Sequence, residues 1–326
     1  MSSLVFSLEL AYWQQTIIRC IAALVAVLIP AGTLVYLYLF KMMSFMQSRL
    51  GPMEAGPYGS LQLLAEVGKF LQKEDIIPRN ADRVVFKAAP FVVLASTFLL
   101  VLVLPAGPDA WFINVDTGVF LALAVSSISV IGILMAGWGS ASKYSLLGGL
   151  RAAGQLVAYE LPLVLAVMGV VIQAGTLNVQ EIVLSQANGE IFGWGGIGNP
   201  YVLTQFLGFA IFLVAVQAEL TQPPFDMPVA ESEIVTGYLT EYSGMRFLLF
   251  FIGEFATAGI FSALAATFFL GGWYVPGLDP ASDLFNVIGP VVLLTKMLLV
   301  SFLIFWFRFT YPRFREDQLQ QLAWKV

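Results

Sequence analysis

The sequence predicts an all-α polytopic membrane protein, with about seven transmembrane helices and one amphipathic helix lying in the interface. Three observations predict it. Of 326 residues, 59 % are hydrophobic and 11 % charged, with a mean hydropathy of +0.84. A soluble domain carries about 25 % charged residues to keep its surface wet, so the solvent of this chain is largely lipid. The apolar residues gather into stretches near the roughly 20 helical residues that cross a hydrocarbon core of about 30 Å. The basic residues fall on alternate connections between those stretches.

The first stretch covers about residues 20–40 and carries Pro30. The connection after it, 41–87, is polar, and Gly51-Pro52 and Gly56-Pro57-Tyr58-Gly59 mark turns within it. Leu61, Leu63, Leu64, Val67, Phe70 and Leu71 then recur at helical spacing among Gln62, Glu66, Lys69, Gln72 and Lys73. That pattern is a helix with one greasy and one basic face, suited to the membrane interface. The second stretch, 88–104, follows Lys87 and stops at Pro105, and the third covers 119–138. The fourth, 151–172, contains Glu160, and the fifth, 202–218, halts at Glu219. An acidic connection, 219–246, leads to the sixth stretch, 247–270, which contains Glu254. The seventh, 284–307, contains Lys296. The 27 Phe, 11 Tyr and 7 Trp supply ample aromatic material for both interfaces.

If every stretch crosses, fourteen basic residues share one side. They are Lys41, Arg49, Lys69, Lys73, Arg79, Arg83 and Lys87, then Lys143, Arg151 and Arg246, then Arg308, Arg313, Arg315 and Lys325. The opposite connections, about 105–118, 174–201 and 271–283, contain no Lys or Arg. The positive-inside rule places the basic side in the cytoplasm and the N-terminus outside. Met1-Ser2-Ser3-Leu4 shows neither the basic region nor the cleavage site of a removable signal.

Acids at membrane depth carry the chemistry. Glu160 and Glu254 each cost several kcal/mol if they face lipid, so both are expected to face the bundle or a wet cavity. Lys296 is a candidate partner for them. Glu219, Asp226, Glu231, Glu233 and Glu241 add five acids within 23 residues. Like charges so close cannot all stay ionised once desolvated. Together the acids read as a carboxylate route from the cytoplasmic side to mid-membrane. The alternatives are a solvated acidic loop and carboxylates pinned for packing. The chain has no histidine, which excludes His-ligated haem, His metal sites and imidazole relays; the single Cys20 holds neither a disulfide nor a cluster alone. No basic run suggests nucleic acid. Gly137-Trp138-Gly139 before Lys143 lacks phosphate-loop spacing, Gly193-Trp194-Gly195-Gly196 reads as an outer turn, and Met42, Met43 and Met46 read as packing.

The stretch Ala218-Glu219 through Pro223-Pro224-Phe225-Asp226-Met227-Pro228, then Ala230-Glu231-Ser232-Glu233 and Glu241-Tyr242-Ser243-Gly244, resembles a family signature. It is that of the H subunit (mitochondrial subunit 1 type) of respiratory complex I, the NADH–quinone oxidoreductase. Gly137-Trp138, Ser142-Lys143-Tyr144-Ser145-Leu146-Leu147-Gly148 and Gln155 also match. So do Gln47-Ser48-Arg49-Leu50-Gly51-Pro52, Lys73-Glu74 and Tyr311-Pro312-Arg313-Phe314-Arg315-Glu316-Asp317-Gln318-Leu319. The resemblance spans nearly the whole chain. The chain departs from the family at Leu39-Phe40 before Lys41, at Val229-Ala230 and at Pro223, and relatives continue into a further span beyond the position of Val326.

The resemblance implies a multi-pass subunit of the bacterial plasma membrane that forms the quinone chamber and couples quinone reduction to proton pumping. It assigns the proton path to Glu160, Glu219, Asp226, Glu231, Glu233 and Glu254. It assigns the chamber and its mouth to Arg49, Glu66, Arg246 and Arg308, with Glu241 left without a definite role. Quinone is the implied substrate. No cofactor is expected on this chain alone; iron–sulfur clusters and flavin belong to partner subunits. The implied partners are hydrophilic quinone-site subunits, antiporter-like membrane subunits and the bilayer. The rival readings are the membrane subunit of an energy-converting hydrogenase, a stand-alone secondary transporter and an inert assembly scaffold. No internal repeat of the kind transporters show is visible.

Overall fold

The computed structural model describes residues 12–190, 198–278, 280, 282 and 284–325. The expected turn at Gly193–Gly196 lies outside them. The described chain is helices joined by loops, and six helices are long and apolar enough to cross a membrane, with a seventh shorter one. This is the all-α polytopic architecture that the composition predicts.

The first helix, α1 (Tyr12–Leu34), runs on through a π-helical stretch (Val35–Met42) into Met43–Met46. It begins before the expected residue 20, because Gln14, Thr16 and Arg19 dilute its hydropathy without breaking it. Of the three methionines, Met42 packs against the core and Met46 is exposed. The amphipathic helix α2 (Gln62–Gln72) forms where the periodicity places it, with no fully buried residue. Then come α3 (Arg83–Val101), whose N-cap Asp82 accepts from the Val84 and Val85 amides, and α4 (Gly118–Gly139). A Cβ on Gly132 of α4 would lie 3.1 Å from the Val93 nitrogen, so the α3–α4 crossing requires glycine there.

Next is α5 (Lys143–Ala174), 32 residues. At 1.5 Å per residue it is about 48 Å long, well beyond a hydrocarbon core of about 30 Å. A short helix, α6 (Val179–Ala187), is capped by Asn178. The fifth apolar stretch is broken. Tyr201–Thr204 forms one turn, Gln205 leaves helical geometry at φ −123° and ψ 44°, and α7 (Phe206–Glu219) follows with 14 residues. Hydropathy sees no break there. Gln205 is held out of the helix by its own amide, which donates to Gly169 O and to Gln173 Oε1, each at 2.7 Å.

The most buried of the long helices is α8 (Gly244–Phe269), packed on α1, α3, α7 and α9 (Phe285–Thr310). The last helix, α10 (Glu316–Lys325), folds back beside α5. Lys296 does not meet Glu160 or Glu254. Its ammonium donates to the carbonyls of Leu270 and Tyr274, each at 2.7 Å, and so caps the far end of α8. Long side chains reach nearby carbonyls more easily than they cross a packed bundle to a distant acid.

The basic connections gather at one end. There Asp82 N donates to Gly139 O, Ile76 N to Ser243 Oγ, and Phe314 N to Pro224 O. At the other end Val119 N donates to Leu177 O and Asn178 to Asn114.

Candidate functional site

The connection from α7 to α8, residues 220–243, folds inward at the basic end. Its apolar side chains face the protein: Phe225, Met227, Ala230, Ile234, Tyr238, Leu239 and Tyr242 are all buried. Tyr242 stacks on Phe86 with ring centroids 4.1 Å apart and donates to Phe86 O at 3.0 Å. Phe225 packs edge-on to Tyr159 of α5 and against Phe314 beyond α9. Gly237 stands at φ +57° and lies flat against Gly148 of α5, where a Cβ on Gly148 would be 2.7 Å from Gly237 Cα. With its greasy face anchored, the loop turns Asp226 and Glu231 toward the space that remains.

That space is a cavity of about 450 Å³, whose wall includes Gln222, Asp226, Glu231, Glu254, Arg308 and Arg313. Phe247, Phe251, Val229 and Leu239 supply its apolar side. Three elements meet in the wall. Gln222 of the loop donates its amide to Glu254 of α8 and accepts from Arg308 of α9. The Arg308 guanidinium lies 3.8 Å from the Glu254 carboxylate and over the rings of Phe255 and Phe309. Glu254 thus sits at membrane depth beside a cation and an amide, as a membrane carboxylate requires.

Burial pushes the Asp226 carboxyl up to about 6, and the nearby Glu254 and Glu231 add to this while Arg313 and Arg308 oppose it. Tyr238 is raised by burial, then by Glu254 and Asp226, so its phenol stays protonated.

The acids form groups rather than one chain of direct contacts. Glu160 of α5 accepts from Ser127 of α4, and Glu219, at the end of α7, lies within electrostatic reach of Glu160. Glu233 is exposed and bridges Arg151 at 2.6 Å and Arg313 at 3.1 Å, with Arg151 also 3.8 Å from Glu316. The hydrogen bond from Arg151 holds the Glu233 carboxyl below its ordinary value. Glu241 is half-buried just before α8 and does not line the cavity.

Of the four expected chamber residues, Arg308 lines the cavity. Arg49 is exposed and donates to Gln47 at 2.9 Å, and Glu66 accepts from Gln62 on α2. Arg246 lies 3.0 Å from Asp75 and over the Phe86 ring. The link from α2 to the cavity is Phe70, stacked on the lining residue Phe247 with centroids 5.6 Å apart.

Sequence reasoning gave the amides no role. Gln222 joins Glu254 to Arg308, and Gln155 and Gln217 are buried close to the loop. The available signal was an amide set in an apolar run beside an acid, as in Gln217-Ala218-Glu219. Arg313 was counted as a marker of sidedness and as part of a matching motif but given no role, yet it lines the cavity.

The sequence model of the family described as NADH dehydrogenase matches residues 18–326. The chain belongs to that family. It is 41 % identical over 316 residues to the NADH-quinone oxidoreductase H subunit of Brevibacillus brevis, covering 96 % of this chain and 90 % of that protein. It is 44 % identical over 287 residues to the corresponding H subunits of Bacillus thuringiensis and Bacillus anthracis, covering 88 % of this chain and 82 % of each relative. The resemblance read from the motifs is therefore borne out along the chain, and the loop that carries the cavity lies inside the matched region. Among the described residues, no three His, Cys, Asp or Glu side chains are placed to hold a metal ion.

Proposed function

We propose that this chain is the membrane subunit of a proton-translocating NADH–quinone oxidoreductase, and that its cavity couples quinone reduction to proton movement. The identity of its relatives supports the assembly. One observation carries the site: Glu254, Gln222 and Arg308, from three separate elements, converge in the wall of a cavity that also holds Asp226 and Glu231.

The basic end faces the cytoplasm and meets the hydrophilic subunits, whose iron–sulfur clusters and flavin deliver electrons. The N-terminus is outside, and antiporter-like subunits receive the coupling signal. Reduction of a quinone by two electrons consumes two protons and leaves a quinol. This chain contributes position, field and protons. Arg308 and Arg313 favour negative charge as electrons arrive, and Phe247 and Phe251 offer an apolar wall to the ring. Asp226, with its carboxyl near 6, exchanges a proton readily close to neutrality. Loss of a proton there alters the field at Glu254 and Glu231, and a shift of protonation passes on to Glu219 and Glu160. Arg49, Glu66 and Arg246 flank the mouth beside α2.

Replacing Glu254 or Glu160 with Gln in the assembled complex tests this. The reading expects turnover to fall about 10²-fold or more, the usual contribution of a positioned proton-transfer group. Wild-type quinone reduction and wild-type protons per quinone in both variants would end it.

A further inference from the structure

The acids stand in two groups, with Glu160 and Glu219 in one and Asp226 and Glu254 in the other. Three buried glutamines occupy the ground between them. Gln155 is 0 % exposed, Gln217 1 % and Gln222 3 %. Gln155 of α5 donates its amide at 2.6 Å to the carbonyl of Ala218, the residue before Glu219. Gln217 donates at 2.6 Å to the carbonyl of Pro223, and its own backbone carbonyl accepts from the Gln222 backbone amide at 3.3 Å. Gln222 in turn reaches Glu254. The row therefore begins beside Glu219 and ends in the cavity wall.

Two atoms in this row are unmatched. The Oε1 atoms of Gln155 and Gln217 are buried and have no hydrogen-bond donor among the described residues. Turning either amide over would set oxygen against the carbonyl that its nitrogen now reaches, so the assignment of each oxygen stands. Buried acceptors without donors are rare and strongly disfavoured, and buried water commonly satisfies such atoms. An amide oxygen accepts a proton donor but does not relay protons by itself. Water held on two such oxygens does.

We propose that Gln155 and Gln217 hold water molecules that carry protons between the Glu160–Glu219 pair and the Asp226–Glu254 cavity. This rests on the proton-path reading above and makes the two glutamines positioning residues within it. The acids alone leave a gap, and the amides close it by fixing water where a carboxylate would repel its neighbours.

The test uses the complete complex in proteoliposomes carrying Gln155→Leu or Gln217→Leu. NADH-driven quinone reduction, protons moved per quinone and the deuterium-oxide isotope effect on turnover are recorded. Each Leu variant is expected to turn over about tenfold more slowly, as loss of one positioned hydrogen bond in a transfer step implies, with a larger isotope effect and an unchanged quinone KM. Gln155→Glu loses the donor to Ala218 O and sets a carboxylate beside Glu219, so it is expected to stay slow. Wild-type turnover and isotope effect in both Leu variants overturn the proposal, as does slowing without any change in isotope effect. Should a Leu variant fail to assemble, a density map of the native complex decides. Ordered water within hydrogen-bond distance of both oxygens supports the proposal, and a protein donor on each overturns it. Active Leu variants beside an inactive Glu160→Gln variant defeat the glutamine row alone, whereas active Glu160→Gln and Glu254→Gln variants defeat the underlying reading.

Discussion

Gly237→Ala gives the sharpest test of how the acidic loop is held. Gly237 has φ +57°, in the left-handed region that costs a residue with a Cβ about 1–2 kcal/mol. The new Cβ would also collide with the Pro228 carbonyl oxygen, and would stand 2.8 Å from that carbonyl's carbon and 3.3 Å from Val229 Cα. Carbon pairs settle at about 3.5–4.0 Å and the carbonyl oxygen is closer still, so the 228–229 segment must retreat by more than about 1 Å. It cannot be relieved by moving Gly237 toward α5, because Gly148 already lies against it. The displacement falls on the stretch between Asp226 and Glu231, where Val229 itself lines the cavity. A misplacement of about 1 Å in a reacting constellation costs about 10²-fold in rate. The expected outcome is a complex that assembles but reduces quinone about 10²-fold more slowly, measured per mole of complex with NADH as donor. Gly154→Ala is the control: no atom lies within 4 Å of its Cβ, and alanine favours the α5 helix by about 0.5–1 kcal/mol. A Gly237→Ala complex with the wild-type rate would refute the view that loop position sets activity.

Other perturbations separate stability from coupling. Asp226 ionises at about 6 in the folded chain and at its ordinary 3.8 when unfolded, so between those values the folded state holds the extra proton. Stability therefore falls as pH rises through that window and levels off above it, and Asp226→Asn should flatten the slope in thermal unfolding of the purified complex. Lys296→Met removes two charge-assisted hydrogen bonds at the far end of α8, each worth about 1.5–3 kcal/mol. The unfolding midpoint should drop while protons per quinone stay at the wild-type value; a lost ratio would return Lys296 to the proton path. Leu319, on the inner face of α10, is 0 % exposed in the cluster with Tyr159 and Phe225. Leu319→Ala should cost about 2–5 kcal/mol locally and open the C-terminal segment to protease, and unchanged cleavage would show that α10 is held by other contacts.

Most of the fold was legible because lipid imposes a one-dimensional rule: apolar length decides what crosses, and basic residues decide which ends gather. The periodicity of Leu61 to Leu71 located α2 to within a residue. The break at Gln205 was not legible, since it depends on Gly169 and Gln173 from another helix. The same limit misdirected Lys296, whose partners are carbonyls 22 and 26 residues away. Of the acids, Glu160 and Glu254 were singled out by depth alone, whereas Gln155 was named only as part of a matching motif and Gln217 not at all, because amides at such positions cost less and attract no notice. That Glu233 is tied up with Arg151 and Arg313 at the surface, while Asp226 faces a cavity, could not be read from two acids seven residues apart.

Composition, apolar run lengths and the spacing of charges determined by themselves that this chain lives in lipid, which stretches are long and apolar enough to cross it and which connections share an end. Those properties follow from free energies that add along the chain, residue by residue. Which acids face one another, which cation each one meets and where a cavity stays open were decided by tertiary structure. Electrostatic and hydrogen-bond energies depend on separations of a few ångströms between residues distant in sequence, and only packing sets those separations.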